Sequence, residues 1–286
     1  MNLNYQIKAP AKLNLGLKVT GRRPDGYHDL VSVMVPIDLV DHLEISLLDK
    51  RGIGLSCEGH PVPEDQSNLV HRAARAFLKR LNRFEGVSVR LIKNIPVAAG
   101  LGGGSSDAAA TLLALNELYS RPLTFDDLEA LALRLGADVP FFLYRRPAIA
   151  RGIGEILEPI KRWPKIWYLI IMPPIQVSTS WAYGKLKLEL TSGRDDYIKT
   201  GLKHGPSVLF RHLENDLETV TSAHFPIIGN IKEQMKEAGA TCALMSGSGP
   251  SVFGVFSSQG GAIKARNDLI AQDLGEVYLA TNWEST

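Results

Sequence analysis

Cysteine, charge imbalance and long apolar runs are what this sequence has least of, and each shortage removes a class of protein. Its two cysteines, Cys57 and Cys242, stand far apart in 286 residues with no metal-type neighbours. They exclude a disulfide framework and a cysteine-based zinc site, and read as reduced, packed thiols. A formal net charge of +2, with Lys and Arg scattered, gives no bias toward a polyanion, so nucleic acid is not an expected partner. The longest uninterrupted apolar run, Ile166 to Met172, is far too short to span a bilayer. The first residues, MNLNYQIKAPAKLN, lack the apolar core of a signal peptide. A cytoplasmic protein with no membrane partner is the expectation. At 45% hydrophobic and 22% charged residues the chain is long enough for one large core or two smaller ones, and two domains are expected. Nothing in it fixes an oligomeric state.

What the sequence does have is concentrated in PVAAGLGGGSSDAAATLLALNELY, Pro96 to Tyr119. An apolar run breaks there into a glycine and serine loop and then into alanine-rich helix. Gly100, Gly102, Gly103 and Gly104 allow positive φ and a close approach to a ligand. Ser105, Ser106 and Asp107 suit a helix start, and Ala108, Leu112, Leu115 and Tyr119 share one helical face. A loop at the positive end of a helix dipole, with unpaired N–H groups, is an anion site suited to polyphosphate. No Gly-Lys-Ser/Thr closes it, so it is not a Walker loop. The spacing is not a dinucleotide turn either.

Along the chain, Lys12 to Val19 alternates as a half-buried strand with Lys12 and Asn14 on the same face. Pro24-Asp25-Gly26 turns it into a second strand over Val31 to Leu47, leaving Tyr27 and His28 either as punctuation or as functional groups. Ser67 or Asn68 caps a helix running to about Leu81, and Val87 to Ile95 is a strand entering the glycine loop. Thr124 with Asp127 imitates a capping box for a helix ending at Gly136. Asp138, before Val139-Pro140-Phe141-Phe142, needs a cap, a metal or a substrate proton. Ala148 to Ile160 alternates like a strand pair. Pattern and composition break at Lys161-Arg162-Trp163-Pro164, dividing the chain into domains 1–162 and 163–286. Beyond it come a strand (166–172), a helix (178–190) bearing Trp181 and Tyr183, a polar surface loop (191–205), a helix (227–238), strands (241–245 and 252–256), a helix (261–272) and a last strand (276–280). Ser246 to Ser251 is either a plain hairpin turn or a second anion-facing loop.

Three segments together, APAKLNLGLKVTGRRPDGYHDL, PVAAGLGGGSSDAA and LMSGSGPSVFGVF, resemble the three signature motifs of the GHMP small-molecule kinases. Within that superfamily the Pro-Ala-Lys-Leu-Asn-Leu start, the Arg-Pro-Asp-Gly-Tyr-His turn and Gly136-Ala137-Asp138-Val139-Pro140 resemble members of the non-mevalonate isoprenoid pathway. The resemblance implies an α+β, two-domain fold: an N-terminal domain like domain 2 of ribosomal protein S5, a ferredoxin-like C-terminal domain, and a cleft between them. It implies ATP, with Mg2+, and cytidine diphosphate methylerythritol as substrates. Asp138 matches the catalytic base and Lys12 the lysine near the reacting hydroxyl and the γ-phosphate. Pro96, Val97, Ala98, Ala99, Gly100, Leu101, Gly102, Gly103, Gly104, Ser105 and Ser106 match the ATP phosphate loop, and Asn68, Leu69 and Lys93 match positions around adenine. Asn14, Tyr27, His28, Thr179 and Tyr183 match positions around the cytidine substrate, and Gly247 and Ser248 join the substrate site. No dedicated metal-ligand spacing appears, and Ala98-Ala99 stand where relatives often carry more glycine. A kinase of the same family for homoserine or mevalonate, or a silent nucleotide-binding member, would share the glycine loop. The Tyr27-His28 turn speaks against the first, and Lys12 with Asp138 against the second.

Overall fold

The computed structural model describes residues 4–186, 209–210 and 212–284, which form two compact units. One comprises residues 1–11, 39–97 and 102–145, the other residues 12–38, 98–101 and 146–286. Strands β1 (Asn4–Arg22) and β2 (His28–Leu48) contribute to both. They are joined by the Pro-Asp-Gly turn, where the Arg23 amide donates to the Tyr27 carbonyl at 2.8 Å. The Lys12 to Val19 stretch is buried on both faces up to Lys18, rather than on one.

In the first unit, β3 (Ile53–Gly59) runs parallel to β4 (Gly86–Lys93), and β4 runs antiparallel to the end of β2. Leu43 pairs with Leu91 and Ile45 with Val89, which puts alternate apolar residues of both strands on one face. The parallel pair requires a crossover, supplied by α1 (Leu69–Arg80). Asn68 caps α1 by accepting the Val70 amide, and the buried stripe is Val70, Ala73, Ala74, Phe77 and Leu78. Leu69 lies just off that stripe. Next comes α2 (Gly103–Leu118), whose buried residues cover most of its surface. Its alanines let α1, α3 (Phe125–Leu135) and α4 (Val139–Tyr144) pack closely around it. The Thr124 and Asp127 capping box that starts α3 is present, a device worth about 1 kcal/mol.

The second unit holds β5 (Ala148–Gly152), antiparallel to the start of β2, and β6 (Ile156–Pro159) beside β5. It also holds a four-stranded antiparallel sheet of β7 (Trp167–Met172), β8 (Cys242–Met245), β9 (Val252–Phe256) and β10 (Glu276–Thr281). The strand order is β10-β7-β9-β8. Numbered within the sheet this is 4-1-3-2, the ferredoxin-like order. Its central strands are buried on both faces, so β7 reads as a continuous apolar run. On this sheet pack α5 (Thr179–Lys185), α6 (Asp216–His224), α7 (Ile227–Glu237) and α8 (Gln259–Ile270). Leu169, Ile171, Ile228, Ile231, Met235, Ala265 and Leu269 form the centre of that core. The 191–205 loop expected from composition lies outside the described residues. Burial pushes the Cys57 thiol up to about 11 and the Cys242 thiol up to about 12, so both stay protonated at neutral pH.

Candidate active site

The residues singled out in the sequence fall into a group in each unit. In the first, the glycine loop meets α2 earlier than the serines suggest. Gly102, at φ 71°, is the N-cap, and the helix begins at Gly103. The first-turn amides of a sixteen-residue helix therefore belong to Gly103 through Ser106, at the positive end of its dipole. Four glycines serve here for different reasons. Gly100 and Gly102 have positive φ, whereas Gly103 and Gly104 are helical. A Cβ on Gly103 would stand 2.7 Å from the Lys93 ammonium and 3.0 Å from Ile95 Cγ2. A Cβ on Gly104 would meet nothing closer than Leu69 Cδ1 at 3.7 Å. Nothing in the protein requires Gly104, an exposed residue at the helix start, to lack a side chain.

Lys93, Asn68 and Leu69 take distinct places. The Lys93 ammonium is buried and donates to Asp41 and, at 2.8 Å, to Asp107. Asn68 spends its side chain on the chain itself, accepting from the Val70 amide at 2.9 Å and donating to the Pro63 carbonyl at 2.7 Å. Leu69 stands beside Gly104. Asp138 occupies the N-cap position of α4 and makes no side-chain capping bond. Its neighbours Val139, Pro140, Phe141 and Phe142 are buried, giving it the apolar surroundings read from the sequence.

In the second unit, Lys12 and Asn14 do share a face. The Lys12 ammonium donates to Asn14 Oδ1, and Asn14 Nδ2 donates to Ser32 Oγ at 2.8 Å. Both residues are buried. The loop residues Ala98 to Leu101 are stitched to the same strand: the Lys12 amide donates to the Leu101 carbonyl at 2.8 Å. Ser246, in the turn between β8 and β9, accepts the Asn14 amide at 3.2 Å and donates to the Gly100 carbonyl at 3.1 Å. A Cβ on Gly100 would fall 2.3 Å from the Ser246 carbonyl oxygen, so glycine there serves the protein's own packing. Gly247 lies against this group, its Cβ position 3.1 Å from Asn14 Oδ1 and 3.6 Å from Lys12 Nζ. The Ser246 to Ser251 turn is thus both a hairpin connection and part of the Lys12 cluster.

The positions matched to cytidine also gather in this unit. His28 and Tyr183 stack, with ring centroids 5.1 Å apart and planes inclined by 27°. Burial, aided by Arg22, holds His28 below its ordinary range, so the ring is neutral at pH 7 with one donor and one acceptor nitrogen. Tyr27 is 60% exposed. Thr179 and Ser248 share a hydroxyl hydrogen bond of 2.9 Å. Trp181 instead packs on His224 and Phe225, facing the core.

Sequence reasoning missed Asp41 and Asn215, and it placed Asp107 at a helix start and Ser246 in a turn without finding their partners. The signal for Asp107 was present: a carboxylate inside an alanine-rich helix has to be held by a partner. Asn215 caps α6 and donates to the Met245 and Gly247 carbonyls, each at 2.8 Å, holding the β8–β9 turn in place. Among the described residues no group of three or more His, Cys, Asp or Glu could hold a metal ion.

Family models match the chain twice: GHMP kinases N terminal domain over residues 68–146, and GHMP kinases C terminal over residues 202–273. The 4-diphosphocytidyl-2-C-methyl-D-erythritol kinase of Geotalea daltonii is 46% identical over 264 residues, covering 92% of this chain and 94% of that protein. The enzyme of the same name from Geobacter metallireducens is 48% identical over 253 residues, covering 88% and 89%. A crystal structure of a 4-(cytidine 5'-diphospho)-2C-methyl-D-erythritol kinase matches with TM-score 0.83 and 36% identity, over 98% of this chain and all of that one (100%). The homoserine kinase of Cytophaga hutchinsonii, at TM-score 0.78 and 23% identity over 98% and 95%, shares the fold. With both domains matched and relatives this similar across most of its length, the chain belongs to the GHMP kinase family.

Proposed function

We infer that this chain is an ATP-dependent phosphotransferase acting on the 4-position hydroxyl of 4-diphosphocytidyl-2-C-methyl-D-erythritol, in non-mevalonate isoprenoid precursor synthesis. The observation that carries this is the likeness to curated relatives of that activity over 92% of the chain. The residues supply a route. Phosphoryl transfer through a loose transition state asks for positioning and charge stabilisation more than covalent chemistry. The substrate hydroxyl attacks the γ-phosphorus, the bond to the ADP oxygen breaks, and the hydroxyl proton passes to Asp138. Lys12, oriented by Asn14, places a positive charge where negative charge develops. Pro96 to Ser106, with the α2 dipole behind them, hold the phosphates, and Asn68, Leu69 and Lys93 line the adenine end. Tyr27, His28, Tyr183, Thr179, Asn14, Gly247 and Ser248 hold the cytidine substrate.

Magnesium fits this arrangement as a partner of ATP. Mg2+ keeps several waters and is held largely by substrate phosphates, so the lack of a carboxylate cluster among the described residues is compatible with it. When bound, it neutralises phosphate charge. We assign the ATP phosphate loop to a domain of residues 1–162 and the whole four-stranded sheet to 163–286, and place the enzyme in the cytoplasm. No helix among the described residues is long and apolar enough to cross a membrane.

The test is ADP release from ATP offered with a panel of small alcohols. Turnover with the cytidine compound and none with homoserine or mevalonate is expected. The reverse pattern would overturn the reading.

A further inference from the structure

Three buried charges, Asp41, Lys93 and Asp107, lie beneath the start of α2. Asp41 Oδ1 accepts the amides of Asn94 at 2.6 Å and Ile95 at 2.8 Å, where the chain leaves β4 for the glycine loop. Its other oxygen accepts the Lys93 ammonium. That ammonium also donates to Asp107 Oδ2 at 2.8 Å, one turn into the helix, and fills the space a Cβ on Gly103 would need. The cluster therefore grips both stems of the loop, the exit of β4 and the first turn of α2.

We propose that Asp107 is a positioning residue for the phosphate loop, tying the first turn of α2 to β4 through Lys93 and Asp41. The proposal rests on reading Pro96 to Ser106 as the ATP phosphate loop. Asp107 touches no substrate in this scheme. Its work is to hold the Gly103 to Ser106 amides in one convergent arrangement, where a small misplacement is felt directly in phosphate binding. Burial raises the Asp107 carboxyl well above its ordinary range against the pull of Lys93. The bond from Lys93 asks position 107 only for an acceptor oxygen, which the amide of asparagine also offers.

The experiment compares Asp107→Ala and Asp107→Asn with the wild-type enzyme, reading KM for ATP, KM for the alcohol substrate, and Tm. Asp107→Ala keeps the contact between Lys93 and Asp41, and Tm reports whether it folds normally. It is expected to raise KM for ATP by about tenfold to a hundredfold while KM for the alcohol stays within about threefold. Asp107→Asn is expected to restore the ATP value. A fall in Tm with KM for ATP unchanged would reduce Asp107 to packing, and an Asn variant as poor as the Ala variant would overturn the tie through the Lys93 hydrogen bond. If the wild-type enzyme itself neither bound nor turned over ATP, the functional reading would fail first. Normal wild-type ATP use with an unaffected Ala variant would sink only this inference.

Discussion

At the residue scale, Asp138 carries the sharpest prediction. It sits at the start of α4, and asparagine keeps its size and shape, so the amide should leave the fold intact. Asp138→Asn should keep Tm and both ligand affinities while kcat falls about 10²–10⁴-fold, the usual worth of a proton acceptor. A near-normal kcat would assign the carboxylate to structure. The aromatic pair offers a second comparison. Tyr183 stacks on His28 while Trp181 is taken up by His224 and Phe225, so only Tyr183 has a ring turned toward the Tyr27-His28 turn. Tyr183→Leu should raise KM for the cytidine substrate roughly tenfold to a hundredfold, with KM for ATP unchanged, the size implied by an aromatic stack on a base. Trp181→Leu should instead cost about 1–2 kcal/mol of stability and leave both KM values alone. A selective substrate defect in the Trp181 variant would mean that Trp181 is the stacking residue.

At the element scale the glycine loop separates two kinds of glycine. Gly103 is required by the buried Lys93 beneath it, and Gly104 by nothing in the protein. Gly103→Val should therefore lower Tm sharply. Gly104→Val should fold normally and weaken ATP binding, with titration of ATP against each purified variant as the check. Equal ATP affinity in the Gly104 variant would remove the loop from the phosphate site. Ala98 shows the same logic in reverse: it holds φ 55° without being glycine, a local cost of about 1–2 kcal/mol. Most of the elements around this loop were legible because their signals are local. The Asn68 cap, the Thr124 and Asp127 box and the alternation in β4 each lie within a few residues of what they specify. The early start of α2 was not, because Gly102 caps it by conformation while Ser105 and Ser106 look like caps in the sequence. Three elements gave weaker patterns: β3 is mostly exposed, α4 has only six residues, and α6 starts on Asn215, whose side chain also serves a turn about thirty residues away. Lys12 and Asn14 were legible as one face of a strand, but the bond from Asn14 to Ser246 was out of reach of any local pattern, since it spans 232 positions.

At the scale of the whole molecule, ATP should act as a stabiliser as well as a substrate. A ligand that binds only the folded chain at a hundred times its Kd adds about 2.7 kcal/mol, several degrees in Tm for a protein of this size. That shift should need magnesium. Thermal denaturation with ATP alone, with ATP and Mg2+, and with ATP, Mg2+ and excess chelator checks it, and an equal shift in all three would show that the nucleotide is held without the metal. The long strands β1 and β2 have a different consequence, for the timing of synthesis. Within the second unit Leu17 bridges to Asn215, Ile37 to Asn282, and the Trp283 amide donates to the Pro36 carbonyl at 2.8 Å. A ribosome adding about 5–20 residues per second therefore leaves Ile37 waiting on the order of 10–50 s for its partner to emerge. During that interval the apolar strand has no partner there, which leaves its edge open to pairing with another chain.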